Sequence, residues 1–229
     1  MWGVDSFLLD AAATLLLGAA CAACGLPARG LCAACRRELA LPAPRRVPAG
    51  VGVPVWAAAP YEGAWRSALV AYKERHAWHL AQPLGHALAL AVGEALRGSD
   101  ASGPLVLVPM PSRAGAVRER GLDVTAELAR RAASALTAAG WPALPESSLR
   151  LARSVADQGG LGREGRWQNM QHSLVARTGR AGARVVVDDI TTTGASVAAA
   201  VEALSLAGTP PVAVAVVAAT PRRSGLPPP

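Results

Sequence analysis

Leu105-Val106-Leu107-Val108 is an unbroken apolar run closed by Pro109, the pattern of a strand buried on both faces of a parallel sheet. Val185 to Val187 and Val212 to Val217 repeat it. Elsewhere the apolar positions recur with a 3.6-residue period, over Trp65 to Tyr72, Leu80 to Leu96, Leu122 to Ala139 and Thr193 to Ala207, and each stretch predicts a helix. Asp123 is placed to cap the third of these and Gly140 to stop it. Val53 to Ala59 reads as one more short strand. Buried strands alternating with helices specify an α/β fold, a mainly parallel sheet flanked by helices.

The punctuation divides the chain. Pro42 to Pro48 is a stiff, non-helical linker, which sets an N-terminal module over residues 1–45, a main domain over 46–222 and a disordered Pro-rich tail over 223–229. Gly98 to Pro104 reads as turn, and the polar stretch Ser147 to Arg180, with Gly159, Gly160, Gly162 and Gly165, as a mobile loop. Phe7 to Ala23 is apolar, but Asp10 interrupts it and no positive segment precedes it. That leaves roughly a dozen residues, too few to span a bilayer and unlike a secretion signal. The expectation is an amphipathic or buried helix in a cytoplasmic protein.

Composition changes the picture at two points. Hydrophobic residues at 52% against 17% charged exclude a disordered chain. A net charge of +7 favours anionic partners, whether nucleic acid, phosphorylated small molecules or acidic surfaces, and no block of like charge marks a basic tail. Among 23 basic residues Lys73 is the sole lysine, which singles it out.

The most informative run is Val185-Val186-Val187-Asp188-Asp189-Ile190-Thr191-Thr192-Thr193-Gly194. Asp188 to Gly194 reads as the loop leaving a buried strand and entering a helix, where ligands of open α/β sheets bind. Backbone amides, the hydroxyls of Thr191, Thr192 and Thr193, close approach at Gly194 and the positive end of the next helix make a phosphate cradle. Two adjacent acids would repel a bare phosphate unless they bind something else on the ligand, such as sugar hydroxyls or a divalent cation. A ribose 5-phosphate satisfies both halves. Asp188 and Asp189 could then also stabilise positive charge developing on the sugar ring. A nucleotide-binding Walker B strand is the alternative, but no G-x-x-x-x-G-K-[ST] accompanies it.

These residues resemble the signature of the type I phosphoribosyltransferases. With the four cysteines, Tyr61-Glu62-Gly63, Lys73, Val108-Pro109-Met110-Pro111, Arg120-Gly121, the trio Gln158, Arg166 and Asn169, and Asp188 to Ser196, the chain resembles the ComF branch of that family, associated with competence and DNA uptake. The resemblance implies the type I phosphoribosyltransferase fold and a site for 5-phosphoribosyl-1-pyrophosphate (PRPP) with magnesium carried on its diphosphate. It implies that Met110, Pro111, Ser112 and Arg113 meet the diphosphate and that Lys73, Arg120, Ala195 and Ser196 join the substrate site. Arg118 and Arg120 read equally as plain surface arginines. It also implies that Gln158 to Asn169 is a closing loop bringing Arg163 and Arg166 to the diphosphate, with an ordinary exposed loop as the alternative. Where the family has Phe-Asn after the Arg-Gly pair, this chain has Leu122-Asp123.

Cys21-x-x-Cys24 and Cys32-x-x-Cys35 use every cysteine in the chain, and four thiolates suit a closed structural zinc site. Two disulfides are the alternative, against which the lack of a secretion signal weighs. The expected activity is phosphoribosyl transfer to an unidentified acceptor, linked to DNA uptake or nucleotide metabolism. The competing expectation is a non-catalytic PRPP sensor or a single-stranded-DNA-binding component, for which Trp65, Trp78 and Trp167 would be the stacking platforms. The sequence leaves the oligomeric state open.

Overall fold

A computed structural model describes residues 19–97, 99, 103–152 and 174–221. In chain order its elements are helix α1 (Ala33–Ala40), strands β1 (Arg45–Arg46) and β2 (Val55–Pro60), helix α2 (Gly63–Glu74), a 3-10 turn (Trp78–Leu80) and helix α3 (Ala81–Leu96). Strand β3 (Leu105–Pro109), helices α4 (Ala114–Arg120) and α5 (Val124–Ala138), and strands β4 (Ala143–Pro145), β5 (Leu149–Leu151) and β6 (Leu174–Ala176) follow. The chain continues through β7 (Ala183–Thr191), α6 (Ala195–Leu206) and β8 (Ala213–Ala219).

Six strands form one sheet in the order β1-β2-β8-β7-β3-β4, and only the edge strand β1 runs antiparallel to its neighbour. The unbroken apolar runs occupy the centre: β3 and β8 are buried at every position. Period two then assigns faces. Leu105, Leu107, Val185, Val187 and Val217 join one core with α2, α3 and α5, while Val106, Val108, Val186 and Val214 join the other with α6 and the β5–β6 pair. Helices α3 and α5 cross so closely at Gly85 that a Cβ there would collide with the Arg131 side chain.

Two expectations need correction. The expected loop at Asp188 is still strand, because Asp188, Ile190 and Thr191 pair with Val216, Ala218 and Ala219 of β8. The ends of the polar Ser147–Arg180 stretch are strands too: Leu149, Arg150 and Leu151 pair with Ala176, Val175 and Leu174. Helix α4 shows no apolar periodicity because it buries none of its residues. The cysteine module also shares its interior with the main domain, since Cys21, Cys35 and Leu39 lie in the same buried cluster as Trp65, Tyr72 and Leu80. Among the described residues no helix is long and apolar enough to cross a membrane.

Candidate functional site

From the sheet centre, β3 leads through α5 to β4 on one side while β7 leads through α6 to β8 on the other. The chain therefore changes direction between β3 and β7, and beyond their carboxyl ends lies the crevice where open α/β sheets bind ligands. Pro109 opposite Val187 has no N–H to extend the ladder, and the last link is Met110 N–H donating to the Val187 carbonyl at 2.9 Å. Strand β7 continues past that point along β8 alone. Its β3-side edge from Asp188 onward is thus left facing the crevice, which holds a cleft of about 440 Å³.

Strand alternation turns Asp189 toward α2, whose Lys73 Nζ meets its Oδ2 at 2.6 Å. Asp189 is only 5% exposed, and among the described residues this Oδ2 has no hydrogen-bond partner apart from that ion contact. Burial alone would lower the Lys73 pKa, but the charge and hydrogen bond of Asp189, with Asp188 behind them, leave it raised. Asp188 accepts the Asp189 N–H on Oδ1 at 2.8 Å. Desolvation, reinforced by the negative charge of Asp189, pushes the Asp188 carboxyl well above the usual carboxylate range.

The opposite wall is the segment Met110 to Arg113 and the start of α4. Ser112 Oγ donates to Asp123 Oδ1 at 2.9 Å, and the same oxygen caps α5 by accepting the Ala126 N–H at 3.1 Å. Asp123, read from sequence only as a helix cap, therefore also orients the site serine. The pattern Leu122-Asp123 carried no signal for this second contact. Arg120 reaches Glu74 at the end of α2 with Nη2 at 3.1 Å from Oε1, so it is held and not a free surface arginine.

Of the residues singled out from sequence, Lys73, Met110, Pro111, Ser112, Arg113, Arg120, Asp188, Asp189, Thr192 and Ser196 all line this cleft. Ala116, Val124, Thr125 and Ile190 complete the lining. Thr191 is buried at the end of the β7 ladder, and the Thr193 hydroxyl accepts the Ala195 N–H at 3.4 Å. Gly194 adopts φ +83 with Ala49 at 3.4 Å from where a Cβ would stand, so it turns the chain into α6 and does not line the cleft. Arg163 and Arg166 lie outside the described residues. Trp65 is 4% exposed and cannot stack on a base, Trp78 packs edge-on against Tyr72, and Trp167 lies outside the described residues.

In the N-terminal module the Sγ atoms of Cys21, Cys24, Cys32 and Cys35 all lie within 4.8 Å of one another, and all four thiols are free. Thiolates around a tetrahedral zinc ion stand about 3.8 Å apart, given a Zn–S bond of about 2.3 Å, and Cys24 and Cys32 are at 3.6 Å. Turns at Gly25 (φ +76) and Gly30 (φ +74) bring the pairs together. Burial opposes ionisation of Cys21, but backbone N–H donors, including that of Cys32 at 3.3 Å, outweigh it and lower its pKa to about 6. Cys35 is pushed up by burial and by the neighbouring thiols. The donor set and spacing fit a metal ion held by all four.

No protein-family model matches the chain, and no curated protein matches it. Among solved structures the chain is similar to the hypoxanthine phosphoribosyltransferase of Trypanosoma cruzi, at 17% identity and TM-score 0.38 over 65% of this chain and 71% of that one. It is similar to the adenine phosphoribosyltransferase of Saccharomyces cerevisiae, at 17% identity and TM-score 0.34 over 82% and 89%. A further adenine phosphoribosyltransferase gives 18% identity and TM-score 0.34 over 81% and 89%.

Proposed function

We propose that the chain is a ComF-like phosphoribosyltransferase that binds PRPP in the cleft between β3 and β7. The observation that carries this reading is a single cleft lined by two acids and a lysine, by Met110 to Arg113, and by Thr192 and Ser196. Thr192 and Ser196 at the start of α6 take the 5-phosphate, where the helix end adds positive potential. Asp188 and Asp189 accept the ribose 2- and 3-hydroxyls, and Ser112, Arg113 and Arg120 hold the diphosphate. In the reaction the C1–oxygen bond to the diphosphate breaks, pyrophosphate leaves with the electron pair, and a bond forms from C1 to a nucleophilic atom of the acceptor. The acids then face a ring gaining positive charge, and stabilise it.

Magnesium supplies charge neutralisation of the leaving diphosphate. Asp189 is already met by an ammonium in the free protein, which suits carriage of the metal by the diphosphate over a resident dication. We assign zinc to the four cysteines, and a DNA-uptake or nucleotide-metabolism role follows from the sequence resemblance alone. The competing single-strand-binding reading loses its first platform with the burial of Trp65.

The test separates a sugar-phosphate site from a generic anion site. Asp188→Asn and Asp189→Asn should each weaken PRPP binding about tenfold by replacing a carboxyl oxygen that accepts from the sugar hydroxyls with an amide NH2, while inorganic phosphate binds no worse. Calorimetry with magnesium present reads both. Unchanged or tighter PRPP binding in both variants would overturn the assignment.

A further inference from the structure

We propose that the four-cysteine module is a splint for helix α2: it grips both ends of the helix, holds Lys73 against Asp189, and so sets affinity at a cleft to which none of its described residues contributes lining. The start of α2 has no cap of its own, since Glu62 at that position makes no side-chain hydrogen bond. The cap comes from the module instead. Glu38 Oε1, on α1, accepts the Ala64 N–H at 3.1 Å and places a carboxylate at the positive end of the helix. Gly63, at φ +52, keeps that approach open, because a Cβ there would stand 3.0 Å from the same oxygen.

The far end is held by a second bond. Arg75 Nη2 donates to the carbonyl of Ala22 at 3.0 Å, and Ala22 lies inside the Cys21–Cys24 pair. Glu38 in turn sits one turn beyond Cys35 on α1, whose N-terminal cap is Cys32. Both grips therefore take their positions from the cysteine cluster. Between them α2 presents Lys73 to Asp189, Glu74 to Arg120 and the Tyr72 hydroxyl to the carbonyl of Val124 at 3.1 Å, contacts that tie it to the cleft. Slack at either end would be felt at these side chains, since an ion pair of 2.6 Å tolerates little displacement.

The ligand half of this inference rests on the phosphoribosyl reading, so the test has one readout with PRPP and one without. Lys73 is the only lysine of the chain, so lysine labelled at Cε alone gives a single NMR signal that reports its ammonium end. In Glu38→Ala that signal should move and titrate at lower pH, toward the ordinary lysine value of 10.5, as contact with Asp189 loosens. In Glu38→Gln, which keeps an acceptor oxygen, it should stay near the wild-type position. PRPP affinity should fall about fivefold in Glu38→Ala, recover in Glu38→Gln, and show no Glu38 effect in a Lys73→Ala background. An unmoved Lys73 signal in Glu38→Ala, or an equal affinity loss with and without Lys73, overturns the splint. A Lys73 signal that moves in a protein that does not bind PRPP supports the splint and overturns the phosphoribosyl assignment instead.

Discussion

Replacing Lys73 by methionine keeps most of its apolar stem and removes its charge, which leaves Asp189 buried beside no cation. Removing one member of a fully buried ion pair costs about 3–5 kcal/mol, because the remaining charge is unsolvated. Here the Lys73 side chain retains 27% exposure while that of Asp189 has 7%, so water can partly replace the ammonium and the lower range applies. We expect Lys73→Met to lose about 2–3 kcal/mol, or about 5–10 °C in Tm for a chain of this length. In an Asp189→Asn background the same substitution should cost less than about 1 kcal/mol, since no stranded charge remains. Urea titration of the four proteins of this cycle measures both figures. Equal penalties in the two backgrounds would refute the pairing as the source of the effect. The pH dependence follows with a definite sign. The folded pKa of Lys73 lies above its ordinary 10.5, so the pair's contribution is complete below that value and is lost as pH rises through the folded one. Wild type should therefore lose stability there relative to Lys73→Met.

Asp188 has the opposite linkage: a carboxyl held well above its ordinary 3.8 in the folded protein loses stability as pH rises from 3.8 through the folded value. Asp188→Asn should thus be more stable than wild type at neutral pH, with the difference vanishing near pH 3, and a neutral-pH melting curve with no gain counts against the burial argument. Metal analysis of protein purified without added zinc should find about one zinc per chain, and Cys32→Ser should lose it; full retention in that variant would remove Cys32 from the site. Asp123→Ala should cost about 1 kcal/mol from the lost cap and also weaken PRPP binding through Ser112, whereas Asp123→Asn should preserve both; an asparagine variant as weak as the alanine one would count against the shared-oxygen account.

The sheet centre was legible because its strands are buried on both faces, and such burial writes itself as unbroken apolar runs such as Leu105 to Val108. The four long helices were legible for the matching reason, each having one buried stripe. Helix α4 and strands β1, β4, β5 and β6 were not, since short or exposed elements need no apolar pattern and are fixed by pairing partners distant in sequence, as Leu149 is by Ala176. The cleft was legible in its residues more than in its shape. Asp188 and Asp189 looked like loop because strand signals end where apolar residues end, yet β8 continues alongside them with Val216 to Ala219 and pairs regardless of what the side chains are.

That pairing explains how acids can stand at a phosphate site. In sequence the difficulty was repulsion, since two carboxylates beside a polyanion cost free energy at every step of binding. The rigid β7 backbone turns the two acids to different surroundings: Asp189 toward Lys73, which neutralises it at 2.6 Å, and Asp188 into a desolvated position where its own ionisation is opposed. The wall then presents far less negative charge to an approaching diphosphate than its composition implies, while both carboxyl groups keep oxygen atoms that can accept from sugar hydroxyls. Arginine would not serve equally at position 73. Its planar fork spreads the charge over several donors and needs room for two parallel bonds, whereas a compact ammonium concentrates it on the one oxygen of Asp189 that no other described group satisfies. In a chain that otherwise uses arginine for every basic position, that requirement is a physical reason for its one lysine to stand here.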